Sequence, residues 1–224
     1  MNPNIDRILK AKLIAVLRLK DTTHLLQFAE RIVASGISIF EVTLDSGNAL
    51  ECIELLRQKF PQCLIGAGTV IGRKASESAI TAGAEFLVSP INDPKMITVA
   101  REHAVVSIAG ALTPTEAWEA HTNGADFVKI FPLTGLGPSY IKALRGPFKD
   151  IRFVATNGVT LENIGEFFEA GISAIGLGSI LISDLDVDNG KFDEVGRRAK
   201  RAITVLPASG KSSEMVQNKL PKFM

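Results

Sequence analysis

Eight stretches of the chain are almost continuously apolar, at residues 13–18, 37–43, 64–69, 85–89, 105–109, 127–131, 151–156 and 172–178. They recur about every 20 to 25 residues, are rich in β-formers and end in small or polar residues, so they predict strands. Between them apolar residues fall three and four positions apart, as in Leu25, Phe28, Ile32 and Val33, or Ala49, Ile53, Leu55 and Leu56, which predicts helices. Turn chemistry marks both ends of those helices. Gly36, Gly83, Gly124 and Gly171 stand just past them, where a left-handed C-cap favours glycine. Asp93-Pro94 and Thr113-Pro114 open helices in the order cap, then proline. Strand and helix therefore alternate as in an α/β protein. Eight such units in about 205 residues predict a single closed (β/α)8 TIM barrel, shorter than the usual ~250 residues and so without large insertions. A doubly wound open sheet is the alternative. The barrel is expected over residues 1–206. Periodicity is lost from residue 207 onward, and 207–224 are expected to form a tail packed on the surface or on a neighbouring subunit.

Composition narrows the partners. Of 224 residues 46% are hydrophobic and 22% charged, with 25 Lys+Arg against 24 Asp+Glu, which excludes a disordered or polyelectrolyte chain. A net charge of +1 gives no electrostatic footprint for nucleic acid, and no apolar run is long enough for a membrane span. Small-molecule partners are expected. Residues 1–12 are polar, with Asp6, Arg7, Lys10 and Lys12, and lack the apolar core of a signal peptide, so a cytoplasmic location is expected. Cys52 and Cys63 make no disulfide framework and are read as reduced, partly buried thiols.

In such a barrel the active site lies at the C-terminal ends of the strands. The polar or turn-forming residues there are Arg18, Glu41, Thr43, Thr69, Ser89, Pro90, Lys129, Thr156, Asn157 and Ser179. Lys129 is the strongest signal, one amine in the apolar strand Asp-Phe-Val-Lys-Ile-Phe-Pro. Period two puts Phe127, Lys129 and Phe131 on one face and Val128 and Ile130 on the other. If the first face is the interior, desolvation disfavours a charged amine and favours the nucleophilic form. Ile37, Ile39, Glu41 and Thr43 share a face in the same way. A carboxylate beside an amine nucleophile can shuttle the protons that imine chemistry moves. The plainer readings are a lysine whose amine reaches water and a structural ion pair for Glu41. Arg18 and Thr69 suit a substrate carboxylate, although an arginine after a strand can also be a solvated surface charge. Gly158, Gly178 and Ser179 end strands seven and eight, where loops of this fold commonly bind phosphate with help from a helix N-terminus. His24, His103 and His121 fall in helical stretches, and no HxH, HExxH or CxxC spacing is present, so neither a metal nor another cofactor is expected. Trp118 reads as core or helix–helix packing.

Glu41-Val-Thr-Leu, Gly66-Ala-Gly-Thr-Val, Ser89-Pro, Gly110 with Thr113-Pro-Thr-Glu, Val128-Lys-Ile-Phe-Pro and Gly178-Ser179 occur in one order over most of the chain. Together they resemble the class I pyruvate aldolases that cleave 2-keto-3-deoxy-6-phosphogluconate, its galactonate epimer, and 4-hydroxy-2-oxoglutarate. The resemblance implies a Schiff base on Lys129, proton transfer by Glu41, and pyruvate and glyceraldehyde 3-phosphate as products. It implies carboxylate binding by Arg18 and Thr69, a pocket lined by Pro90 and Phe131, and a phosphate-side pocket at Thr156, Gly158 and Ser179. A homotrimer is implied as well. Three positions depart from the gluconate-type pattern: Asp45 for arginine, Asn157 for the first glycine of its turn, and Ile180 for tryptophan. Thr156 is gluconate-like while neighbouring motifs are galactonate-like, so the epimer stays open. A metal-free phosphosugar isomerase or epimerase with Glu41 as base, or a non-enzymatic binder of phosphorylated metabolites, would use the same loops.

Overall fold

A computed structural model describes residues 2–207, so the expected tail lies outside the described residues apart from Pro207. The first helix, α1 (Pro3–Ala11), precedes eight strands: β1 (Leu13–Leu17), β2 (Ile39–Thr43), β3 (Leu64–Gly68), β4 (Phe86–Val88), β5 (Val106–Ala111), β6 (Phe127–Ile130), β7 (Phe153–Thr156) and β8 (Ala174–Leu177). Between them lie α2 (Leu25–Ser35), α3 (Ala49–Lys59), α4 (Gly72–Thr81), α5 (Pro94–Glu102), α6 (Pro114–Thr122), α7 (Gly137–Arg145) and α8 (Ile164–Glu169). The short α9 (Asp184–Asp188) and the long α10 (Phe192–Thr204) follow β8. Every strand pairs in parallel with its sequence neighbours and β1 pairs with β8, which closes the barrel and excludes the open-sheet alternative.

Alternation sorts the strand side chains into two cores. Ile14, Ile39, Leu64, Phe86, Val88, Val106, Ile108, Phe127, Val154 and Ala174 form the barrel interior. Their neighbours, such as Ala15, Phe40, Val42, Ala67, Val128 and Ile130, pack outward against the helices. Phe127 is thus inward and Val128 and Ile130 outward, as period two predicts. Ile37 departs from its expected face: it precedes β2 and joins the outer core. Ile5 and Ile8 of α1 complete the inner cluster at the N-terminal end, so this helix plugs the barrel floor.

The helix ends follow their cap residues. Gly36, Gly83, Gly124 and Gly171 all take positive φ, between 93° and 107°. Asp93 caps α5, and Thr113 with Glu116 forms a capping box on α6. Two side chains differ from expectation because helical periodicity chooses a face without saying how far neighbouring helices cover it. Leu55 on α3 is exposed, and Trp118 on α6 is half-exposed, its ring stacked on Phe148 at 6.1 Å rather than buried in a core. No helix among the described residues is long and apolar enough to cross a membrane.

The floor plug carries a testable cost. Ile8 is fully buried; Ile8→Ala is expected to destabilise the protein by about 2–5 kcal/mol, read as a lower denaturant midpoint with unchanged slope.

Candidate active site

Above the apolar floor the strand interior turns polar. Lys129 on β6 is 6% exposed, with its strand partners Gly110 on β5 and Val154 on β7. Its Nζ lies 5.0 Å from the Phe131 ring centroid, and no ion pair among the described residues includes it. The side chain is therefore almost entirely covered by the barrel instead of extending from its surface. Glu41 on β2 is 3% exposed, between Val16 on β1 and Gly66 on β3. A Cβ on Gly68 would fall on the Glu41 carboxylate, so that glycine is what leaves the carboxylate room. Burial pushes the Glu41 carboxyl above its ordinary value; the charges of Lys129 and Arg18 oppose the shift and Asp45 adds to it. Glu41 thus senses Lys129 across the interior without an ion-pair partner among the described residues.

Arg18 follows β1 at the rim. Its Nη2 donates to Thr69 Oγ1 at 3.1 Å, and its Nε lies 3.3 Å from Asp45 Oδ2. The pair is 61% and 49% exposed, so solvent screens it to roughly 0–1 kcal/mol. Burial works against the Asp45 carboxylate, but hydrogen bonds from Thr43 and Thr69 and the Arg18 charge outweigh it and lower the pKa. Thr69 breaks the strand pattern with φ +55°, a left-handed conformation that costs a β-branched residue about 1–3 kcal/mol. That conformation sets its hydroxyl against Arg18. Pro90 and Phe131, both half-buried, follow β4 and β6 at the same end of the barrel.

The far side of the rim is formed after β7 and β8. Thr156 is half-buried at the end of β7, and Asn157 takes φ +65° with its side-chain oxygen accepting from the Thr134 hydroxyl. Gly158 has φ +85° and would drive a Cβ to 2.8 Å from the Leu133 backbone. A Cβ on Gly178 would meet nothing within 4 Å, so this backbone faces open space, and Ser179 beside it is exposed. Two helix N-termini follow these strands: that of α8, with Asn163 at the N-cap position, has no side-chain cap bond. The first turn of α9 carries its own capping box, Ser183 Oγ accepting from the Asp186 amide at 3.4 Å and Asp186 Oδ2 accepting from the Ser183 amide at 2.9 Å. The Arg18–Asp45 pair and the Thr134–Asn157 bond were not legible in the sequence, since each joins separate loops.

His24 occupies the N-cap position of α2 without a side-chain cap bond, His103 ends α5 and His121 lies in α6, all away from the strand ends. Among the described residues no three His, Cys, Asp or Glu side chains group to hold a metal. Cys52 and Cys63 are buried and free, and burial raises both thiols.

The Glu41 shift predicts a pH dependence of stability. A carboxyl whose folded pKa exceeds its ordinary 4.5 contributes stability fully below that value and loses it as pH rises through the folded pKa. Glu41→Gln is therefore expected to be more stable than the unsubstituted protein near pH 8. The difference should vanish near about pH 4, as measured by denaturant unfolding at both values.

A family model for aldolases, described as KDPG and KHG aldolase, matches residues 5–198. The 2-dehydro-3-deoxy-phosphogluconate aldolase of Pseudomonas aeruginosa is 30% identical over 197 residues, which cover 87% of this chain and 89% of that one. A protein of Rhizobium meliloti named probable 2-dehydro-3-deoxy-6-phosphogalactonate aldolase is 34% identical over 183 residues, 79% of this chain and 86% of that one. The solved structure of the KDPG aldolase from Legionella pneumophila, with pyruvate captured at low pH as a covalent carbinolamine, superposes with a TM-score of 0.80 at 27% identity. It covers 88% of this chain and 97% of that one.

Proposed function

From the premise that the chain belongs to the KDPG and KHG aldolase family, we propose that it is a class I aldolase working through Lys129. Its substrates are 2-dehydro-3-deoxy-6-phosphogluconate or its galactonate epimer, cleaved to pyruvate and glyceraldehyde 3-phosphate, and 4-hydroxy-2-oxoglutarate, cleaved to pyruvate and glyoxylate. The observation that carries this reading is a buried amine, without an ion-pair partner among the described residues, set opposite a buried carboxyl inside the barrel.

The chemistry follows from that pair. The neutral Lys129 amine attacks the C2 ketone, and loss of water from the carbinolamine leaves a protonated imine. Glu41, whose raised pKa brings it closer to neutral pH, takes and returns the protons of this step. It then accepts the C4 hydroxyl proton, directly or through a water. The C3–C4 electron pair moves toward the iminium nitrogen, the aldehyde departs, and an enamine remains. Protonation at C3 and hydrolysis release pyruvate and the free amine. Arg18 and Thr69 hold the carboxylate, Pro90 and Phe131 line the pocket, and Thr156, Gly158, Gly178 and Ser179 receive the distal end.

Support for the distal assignment is the open backbone at Gly178 and the tight turn at Gly158. Asp45 bears on affinity, since its charge offsets that of Arg18, the cation expected to attract an anionic substrate. We also read the chain as a cytoplasmic homotrimer; exposed Ile71, Ile91 and Leu185 offer apolar surface for association.

Pyruvate with borohydride is expected to add a covalent label to Lys129, found by peptide mass spectrometry. Lys129→Arg, which keeps the charge, should lose both label and pyruvate release from all three substrates. An unlabelled protein with active turnover would overturn the assignment. Asp45→Asn should lower KM for the phosphorylated substrates by up to about fivefold with kcat nearly unchanged, because an exposed pair is worth at most about 1 kcal/mol.

A further inference from the structure

The turn that carries Thr69 and the loop that carries Pro90 share one carboxylate. Asp93 is 7% exposed. Its Oδ1 accepts from the Lys95 amide at 3.0 Å and caps α5, while its Oδ2 accepts from the Gly72 amide at 2.5 Å. Capping needs only the first bond. The second crosses to the preceding strand–helix turn, 21 residues earlier in the chain.

Much depends on that turn. Thr69 sits there at φ +55°, a conformation that persists only where the surroundings over-determine it. Backbone and side chain hold it from two points: the Val70 amide donates to the Val88 carbonyl at 3.0 Å, and the Gly72 amide donates to Asp93. Ile71 between them is exposed. The loop of Asp93 is in turn referenced to the strand beside the amine. The Gly110 amide donates to the Ile91 carbonyl at 3.0 Å, and Gly110 is the β5 partner of Lys129. Without a Cβ on Gly110, the Pro90 backbone lies directly against β5.

We propose that Asp93 is a positioning residue for the aldol site. It ties the Thr69 turn to the Pro90 loop and thereby sets the carboxylate-binding hydroxyl relative to Lys129. The inference rests on the roles given above to Lys129 and Thr69.

The test follows borohydride trapping of the whole protein against pyruvate concentration. Asp93→Ser keeps an acceptor for the cap but is too short to reach Gly72 as well, and Asp93→Ala removes both bonds. Both variants are expected to raise the half-saturating pyruvate concentration by about tenfold, the loss of one charge-assisted hydrogen bond. The extent of trapping at saturation should stay unchanged and kcat should fall by less than about threefold. If Asp93 were only a cap, Asp93→Ser would match the unsubstituted protein and Asp93→Ala would lower only the melting temperature; that pattern overturns the proposal. Amide exchange in the unsubstituted protein decides the matter even if neither variant folds: Gly72 is expected to be as protected as the barrel strands, and rapid exchange there would refute the tie. No trapping at all in the unsubstituted protein would overturn the Lys129 reading and this inference with it, an outcome distinct from a trapped adduct whose pyruvate dependence ignores residue 93.

Discussion

Closing eight parallel strands into a barrel leaves an interior only wide enough for side chains to fill, and here that interior has to hold two ionisable groups as well. The lower part is filled by Ile14, Ile39, Leu64, Phe86, Val106 and Phe127. Immediately above, Glu41 and Lys129 are both under one-tenth exposed. Each would be costly to bury alone, and opposite charge across a low-dielectric space offsets part of that cost. Room for the carboxylate comes from a missing side chain at Gly68, while Gly110, the sheet neighbour of Lys129, leaves room for the Pro90 backbone. The same closure that stabilises the fold thus brings an amine and a carboxyl into one largely covered interior.

Strand geometry made this much readable from residues alone. Lys129 and Glu41 lie within strands, where alternation holds, and both point inward. Reading failed where the backbone leaves the strand or where coverage depends on distant segments. Thr69 was expected at a strand end, but its left-handed backbone, which turns the hydroxyl to Arg18, is not encoded by alternation. Ile37 lies two residues before β2 begins, and so escapes the period-two face assigned to it. Trp118 belongs to an amphipathic helix, yet only the three-dimensional placement of Phe148 decides how much of its ring is covered. Asp93 was legible as a cap because capping is local; its bond to Gly72 joins two loops that only barrel closure brings together.

The site also divides by solvent. Glu41 and Lys129 are held inside by packing, whereas Arg18 and Asp45 at the rim are about half exposed and screened by water and salt. In the proposed reaction the groups assigned covalent chemistry are therefore the packed ones, and those assigned to meet the anion are the solvated ones. A net charge of only +1 supplies little long-range attraction for an anion, so under the proposed reading recognition falls to this small rim set and to backbone amides. Loops built on a shared scaffold can vary at such positions without disturbing the floor.

The α1 plug has a kinetic consequence. With Ile5 and Ile8 sealing one end, the compartment has a single doorway, and whatever reacts inside enters and leaves past the same rim. Under the proposed chemistry the fragment attached to Lys129 would lie deepest, with the aldehyde fragment between it and the exit. Departure would then be sequential, aldehyde first and keto acid last. In the condensation direction the order would reverse, with pyruvate loading before any aldehyde is captured.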